Sequence, residues 1–493
     1  MQTTEGTGAR LARQDVAMGH VIGIDLGTQS VKAAIVDAEG SVAASAVRPY
    51  AVESTSPGWA QSDPQAWLAA ALDAAAEVLD RSTAEPMAIG LSGQMHGVVL
   101  CDEHGDPLRA AITWADTRSG NDARRIAREL GTAELARLGS APFPGFAGVT
   151  LAWLAQHEPD VLARARWALQ AKDWLRMMVT GAVATDPSDA SGTLLYDLVA
   201  GCWSEAAMAA CGVRADLLPT VTASDALAGE ARAGSPLAGL PVAVGGADAA
   251  CGIHGLGLPV GAGALALGTG AQLSSVIATP DPDETLRTHT FAAVGAIGSA
   301  YYRLAAMQSG GLALERALMW LGASIDEAQG ALAAGVRADD PIFLPFVAGE
   351  RSPYLNPDLR ASWMGLSLTT TREAMLRSVL EGMAYAVSAG YAAIVESGAT
   401  PASPLTTLGG GSRDAGYVAL LADALGTPLR PATVADAAVV GAARLGAAAV
   451  GGTIAPVALE AHGIVEPVGD RLIASRQERW RAAVDRECRS EVP

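Results

Sequence analysis

The chain has 493 residues, half of them apolar, and sets 34 Lys and Arg against 52 Asp and Glu for a net charge of −18. Such a surface repels nucleic acid and anionic membrane, and 17% charged residues beside that apolar half exclude an intrinsically disordered chain. The length exceeds what one core usually holds, so two domains of about 250 residues each are expected.

Residues 1–19 are polar, carry no apolar run and read as a flexible extension rather than a secretory signal. The five cysteines, Cys101, Cys202, Cys211, Cys251 and Cys488, include no Cys-x-x-Cys pair, which fits a reduced cytoplasmic protein without structural zinc. From Val21 the stretch "VIGIDLGTQSVK" predicts a strand over 20–25, a turn near Gly27–Gln29 and a returning strand over 30–36. Gly27 lets a ligand approach the backbone, and the Thr28 and Ser30 hydroxyls with free N–H groups could line a phosphate. Asp25 would then be a hard oxygen ligand for Mg²⁺. The same residues also read as a surface hairpin whose Asp caps its own turn.

Ser62 or Asp63 starts a helix with Pro64 at its first position. A second hairpin is expected next, with "MAIGLSG" running into Gln94-Met95-His96 and "GVVLCD" running back. Helical segments and loops fill 120–235, and the strand "LPVAVGGAD" ends on Asp248. Between Asp248 and Gln272 no charged residue occurs, yet the glycines, His254 and Pro259 argue for two buried elements joined by a tight loop, not a membrane span. "LALGTGAQLSSVIAT" repeats the strand, Gly-Thr turn and strand of the first hairpin, with Thr28 and Thr269 lying 241 positions apart. Two short matches can arise by chance in an Ala/Gly-rich chain; the alternative is two related domains offering Gly-Thr hairpins to one ligand between them. Further on, "TREAMLRSVLEGMAYAVSAGYAAIVESG" predicts a long helix with a Thr370–Glu373 capping box. A strand meets Gly409-Gly410-Gly411, with Ser412 as N-cap of a helix over 413–425 ended by Gly426.

Acidic strand ends, two Gly-Thr hairpins and a Gly-rich helix start point to phosphoryl transfer. No G-x-x-x-x-G-K-[ST] is present, and the only lysines are Lys32 and Lys172. Phosphate charge must therefore be met by Mg²⁺, backbone N–H groups, hydroxyls or an arginine.

In chain order, "GIDLGTQSVK", "GLSGQMHG", "ITWADTR", "PVAVGGADAACG", "ALGTGAQ", "FLPFVAGERSPYLNP", "RSVLEGMAY", "LGGGSRD" and "VVGAARLGA" resemble the motifs of the FGGY carbohydrate kinases, closest to the xylulose kinases. The resemblance runs from about Val21 to Gly452. It implies an α/β fold with two actin-like (ribonuclease H-like) domains of the actin/hexokinase/Hsp70 superfamily, closing on ATP and sugar. The implied division is an extension 1–19, an N-terminal domain 20–256, a nucleotide-binding domain 257–452 and a tail or helix 453–493. It further implies that Asp25 and the turn of Gly27, Thr28, Gln29 and Ser30 meet the Mg²⁺-phosphates. Gly268, Thr269 and Gly270 would form a second phosphate loop, and Gly409, Gly410, Gly411 and Arg413 would lie at the adenosine. Gln94, Met95, His96, Trp114 and Asp116 would line the sugar, with Asp248 as general base on its hydroxyl. His96 also reads as a core histidine bonded to a carbonyl, and Asp248 as a helix cap. The expected reaction is ATP- and Mg²⁺-dependent phosphorylation of D-xylulose. Another ketose or a polyol, an ATPase without sugar, and a sugar sensor without turnover are the alternatives. Expected partners are sugar and ATP, without nucleic acid or membrane, and a homodimer is left open. Three departures from the family pattern bear on the substrate: Ala249 where Asn is usual, Gly270 where a hydroxyl is usual, and Thr150 where Lys is common.

Overall fold

A computed structural model describes residues 19–434 and 436–490. The extension expected at the start lies outside the described residues except for Gly19. Counting only strands of the two large sheets, the first comprises β1 His20–Leu26, β2 Ser30–Val36, β3 Val42–Pro49, β4 Pro86–Gly93, β5 Leu227–Glu230, β6 Pro241–Ala243 and β7 Gly246–Ala247. Their order is β5-β6-β4-β1-β2-β3, with β7 beside β4. Strand β1 runs antiparallel to β2, setting Asp25 opposite Lys32, and parallel to β4, setting Asp25 opposite Ser92.

The second sheet comprises β8 Gly263–Leu267, β9 Ala271–Ile277, β10 His289–Ala292, β11 Tyr301–Met307, β12 Leu405–Leu408, β13 Leu429–Thr433 and β14 Glu460–Ala461. Its order is β10-β11-β9-β8-β12-β13-β14. Here β8 is antiparallel to β9 and parallel to β12, as β1 is to β2 and β4. The outer neighbours repeat as well, since β2–β3 and β9–β11 are antiparallel while β4–β6 and β12–β13 are parallel. Two Gly-Thr hairpins thus occupy equivalent places in two sheets of matching topology, and the internal repeat is structural.

The second hairpin expected near Gln94 does not form. Strand β4 has β1 on one side and β6 with β7 on the other, so no edge remains for a returning strand. The segment Val99–Cys101 instead pairs with Trp167–Leu169. Gln94-Met95-His96 is left as a connection at the end of β4, where a left-handed φ of 75° at His96 turns the chain.

Helix α1 Pro64–Arg81 begins as expected, with the Asp63 carboxylate accepting from Gln65 N. Helix α2 Asp248–Gly255 follows β7 directly. Helix α3 Arg372–Glu396 is capped by Thr371, whose hydroxyl accepts from Ala374 N, so it starts one residue later than the predicted capping box. It is long and apolar enough to cross a membrane, but most of it is buried in the second core. Helix α4 Ala415–Leu425 is capped by Asp414, not Ser412, because Gly410–Arg413 first makes a 3₁₀ turn in which the Ser412 hydroxyl donates to Gly409 O at 2.7 Å. Gly426 closes α4 in the left-handed conformation, as predicted.

Helix α5 Ala437–Ala449, late in the chain, returns to pack on α2, β1 and β4. Its approach leaves no room for side chains: a Cβ on Gly90 would lie 1.7 Å from Ala442 O, and one on Gly23 2.3 Å from Val439 O. The segment after 452 ends in helix α6 Arg471–Ser490, which buries Trp480, Ala483 and Val484 in the core beneath the second sheet.

Candidate active site

A cavity of about 390 Å³ opens between the halves. Asp25, Thr28, Met95, His96, Trp114, Asp248 and Ala249 line it from the first; Gln272, His289, Phe291 and Arg351 line it from the second. Asp25 stands at the C-terminal end of β1 and Asp248 at the start of α2, so parallel strands β4 and β7 between them bring two carboxylates 223 positions apart in sequence to one wall. The carboxylates open onto the cavity while dense protein surrounds them. Burial raises the pKa of Asp25, against a 2.7 Å hydrogen bond donated by the Ser92 hydroxyl. Burial, and then the charge of Asp25, push Asp248 up to about 7, against the hydrogen bond from Ala249 N at 2.7 Å. A carboxyl poised near neutrality is suited to accept a proton from a hydroxyl.

His96 hydrogen-bonds through Nδ1 to Gly192 O at 2.7 Å, and its ring packs on Phe146 at 4.5 Å between centroids. Burial lowers its pKa to about 4, so the imidazole is neutral; with Nδ1 bound to a carbonyl the proton sits there and Nε2 is an acceptor. His96 therefore does bond a backbone carbonyl, and it also lines the cavity. Met95 lines it too, its Sδ accepting from the Tyr302 hydroxyl at 3.7 Å. Trp114 donates from Nε1 to Thr28 Oγ1 at 2.9 Å, joining the acceptor wall to the first hairpin turn.

Other expected residues stand behind these. Gln94 is buried beside the cavity, and neither polar atom of its amide has a hydrogen-bond partner. Asp116 does not reach the cavity: it holds the Arg118 guanidinium through both oxygens and accepts from Ala60 N at 2.6 Å. Within the first turn Gly27 N donates to Ser30 O at 3.0 Å, Tyr50 N donates to Gln29 O at 3.0 Å, and the Tyr50 hydroxyl donates to Gly27 O. Only Thr28 of that turn lines the cavity. Thr150 is buried, its hydroxyl donating to Pro144 O.

A second cavity, of about 300 Å³ and mostly apolar, lies on the other side of the β8–β9 hairpin. Gly268, Gly270, Gly410 and Gly411 line it together with Leu380, Met383 and Tyr417. Gly409 lies behind with φ 90°, where a Cβ would sit 2.5 Å from Leu267 O, and Arg413 points to solvent. Thr269 is held by its carbonyl, which accepts from Leu312 N at 2.9 Å. The glycine at 270 has a local cause, since a Cβ there would lie 2.5 Å from Met307 O.

The sequence reading missed Ser309-Gly310-Gly311, which opens the helix Gly311–Leu321 against the second loop, with Gly311 N donating to Gly268 O at 2.8 Å. The paired glycines before an apolar helix were the available signal. It also missed His289, Phe291 and Arg351. Arg351 lies inside the quoted "FLPFVAGERSPYLNP", where a charged pair interrupts an apolar segment.

Beneath Asp248 lies a buried ionic network. Lys172 Nζ contacts Asp173, Asp186 and Asp189 at 2.6, 3.0 and 2.9 Å, and Arg176 pairs with Asp173 at 2.9 Å. Burial opposes the Lys172 charge, but the three carboxylates outweigh it and raise its pKa; burial raises that of Asp189. Asp186 also accepts from the Ser188 hydroxyl, which in turn accepts from Ala247 N at 2.9 Å, so the network braces the backbone just before Asp248.

Two sheets of one topology, a cleft holding paired carboxylates, and a glycine-walled apolar cavity beside it are the features of a two-domain α/β enzyme that could bring two substrates together. Models of the FGGY family of carbohydrate kinases match residues 20–255 with the N-terminal domain and 263–450 with the C-terminal domain. The chain belongs to that family and is an ATP-dependent sugar kinase. It is 32% identical over 436 residues to a xylulose kinase of Escherichia coli (strain K12), covering 86% of this chain and 89% of that one. The crystal structure of a xyloylose kinase from Brucella ovis superposes with a TM-score of 0.86 at 31% identity, covering 95% of this chain and 99% of the other. A gluconate kinase from Lactobacillus acidophilus, at 19% identity and a TM-score of 0.85 over 95% of this chain and 97% of that one, shows the shared fold.

Proposed function

We propose that this kinase phosphorylates D-xylulose to D-xylulose 5-phosphate. The observation that carries the mechanism is Asp248, a carboxyl held near neutrality on the wall of the acceptor cavity. A sugar hydroxyl is a poor nucleophile, and a positioned carboxylate accepts its proton as the bond to phosphorus forms, an effect of typically ~10²–10⁴-fold. Met95, His96 and Trp114 shape the acceptor wall, and Thr28 with the 268–270 loop faces the phosphates. Relatives described as xylulose kinases support the choice of sugar.

Mg²⁺ fits the donor set. Asp25 is a buried carboxylate with a single side-chain hydrogen bond, and it repels Asp248 across the same wall. Among the described residues no cluster of three His, Cys, Asp or Glu could hold a metal alone, which suits an ion that takes one or two carboxylates and completes its shell from phosphates and water. Asp25 would hold it, and the ion would supply charge neutralisation at the transferred phosphoryl group.

We further propose residues 20–256 as the sugar-side domain and 257–452 as the nucleotide-side domain, in a cytoplasmic enzyme in which Cys101, Cys202, Cys211 and Cys251 are free thiols. Ala249 favours a second reading, another ketose or a polyol, because it lines the acceptor wall without a polar group. The test is ATP-dependent phosphorylation across a panel of ketoses and polyols. D-xylulose should give the highest kcat/KM, and a different preferred acceptor would replace the proposal.

A further inference from the structure

Arg351 is half-buried and, unlike the best-paired enclosed arginines, has no carboxylate paired with it; the next, buried Arg303, lies 3.4 Å from Asp283. Arg118, Arg176, Arg377 and Arg476 each have a carboxylate oxygen within 2.9 Å. The Arg351 guanidinium forms no ion pair among the described residues, and its Nε is buried without a hydrogen-bond partner. The adjacent Glu350 acts on it through charge but gives it no hydrogen bond: its Oε1 accepts from Gln308 N at 2.6 Å and from Arg351 N at 2.8 Å, and its Oε2 accepts from the Ser309 hydroxyl. A desolvated cation left unmatched is costly, and such groups persist where a ligand completes them.

The location is informative. Arg351 follows Ile342–Leu344, in the second half, yet its guanidinium lies 4.3 Å from the Phe143 ring centroid and 5.1 Å from that of Trp114, both in the first half. It faces the acceptor cavity. Its charge lowers the proton affinity of His96 and His289, which line the same cavity. A guanidinium only donates, so its partner is an acceptor, and a ketone or carboxylate oxygen, with no proton of its own to place, matches it better than a hydroxyl does. His96 Nε2, an acceptor, is available for a neighbouring hydroxyl of the same ligand.

Building on the kinase reading above, we infer that Arg351 is a specificity-determining residue that reaches across the cleft to hold an sp² oxygen of the acceptor, ketone or carboxylate. Sugar in the first half is thereby gripped from the second half, and an alditol, with a hydroxyl in place of that oxygen, is a poorer fit.

The test is equilibrium binding without nucleotide, by calorimetry and by the fluorescence of Trp114 and its neighbours. The probes are D-xylulose, D-xylonate and xylitol; the proteins are wild type, Arg351→Met and Arg351→Lys. Wild type should bind at least one carbonyl-bearing probe more tightly than xylitol. Arg351→Met should weaken that probe by at least ~30-fold, as expected when a buried polar contact to substrate is lost, with little change for xylitol. Arg351→Lys should recover part of the loss, which separates the role from folding. A loss confined to D-xylulose assigns a ketone, and one confined to D-xylonate a carboxylate. Equal losses for xylitol and the carbonyl-bearing probes, no loss in either variant, or no wild-type binding of D-xylulose and D-xylonate would overturn the assignment. ATP-dependent phosphorylation of any panel sugar by wild type would leave the kinase reading standing in each of those cases.

Discussion

Asp25 and Asp248 face one cavity from the end of one strand and the start of one helix, and the charge of the first raises the proton affinity of the second. Asp248 consequently titrates at about 7. The ionised form is the base, so kcat/KM should fall as pH drops below about 7, where Asp248 becomes protonated. Replacing Asp25 with Asn removes one upward push, so sugar binding measured against pH should show the Asp248 titration displaced to lower pH. An unchanged titration would mean that burial alone sets it.

Asp248→Asn should keep sugar binding and lose at least ~10²-fold in turnover, the low end for a general base. It should also affect stability, with a definite sign. Because the folded pKa is raised from 3.8 to about 7, the native state binds this proton more tightly than the unfolded chain within that window. Stability from this group is therefore lost as pH rises through it. The Asn variant should melt above wild type at pH 8, each kcal/mol gained being worth about 1 °C in a chain of this length. The gap should close toward pH 4. A variant less stable than wild type at pH 8 would contradict the electrostatic account.

Asp25→Ala should abolish most activity, with excess Mg²⁺ restoring only part, since its carboxylate is the candidate metal ligand at the phosphates. Titration of activity against Mg²⁺ reads this directly. A normal metal dependence would return Asp25 to the role of a turn residue.

Ala249→Asn places an amide on the acceptor wall beside the base. If the wild-type enzyme prefers another sugar, the variant should move toward D-xylulose, because a hydrogen bond to substrate discriminates more strongly than the roughly 1–3 kcal/mol of a purely spatial change. The measurement is kcat/KM across the panel. Strict wild-type selectivity for D-xylulose that the variant leaves unaltered would show that residue 249 does not set specificity.

Lys172→Met should destabilise the fold by about 3–5 kcal/mol, the cost of removing one partner from a buried ionic cluster. Asp173, Asp186 and Asp189 would be left facing one another with Arg176 alone. Denaturant unfolding measures this. A loss under about 1 kcal/mol would show that the carboxylates take up protons without strain.

What could be read from sequence was whatever a short stretch encodes locally. The hairpins at 20–36 and 263–277 carry their own turns, and Asp25 and Asp248 mark themselves by ending apolar runs. The supposed return of 97–102 along β4 failed because no local pattern records that both edges of that strand are already taken. Asp116 looked like a sugar ligand beside Trp114, although Arg118 two residues on was its partner. His289 and Arg351 reach the acceptor cavity only through the closure of the two halves, which a linear reading does not contain.

The scarcity of lysine has a practical side. Lys172 is sealed inside the first half, and Lys32 leans over the end of β2 in an ion pair with Asp436. Arginine supplies the other 32 of the 34 basic residues (34 − 2 = 32). Amine-directed reagents therefore find, beyond the chain terminus, essentially one place to react, on the strand that follows the first Gly-Thr turn. A dye or tether coupled there would mark one defined position on the first sheet, without any engineered cysteine.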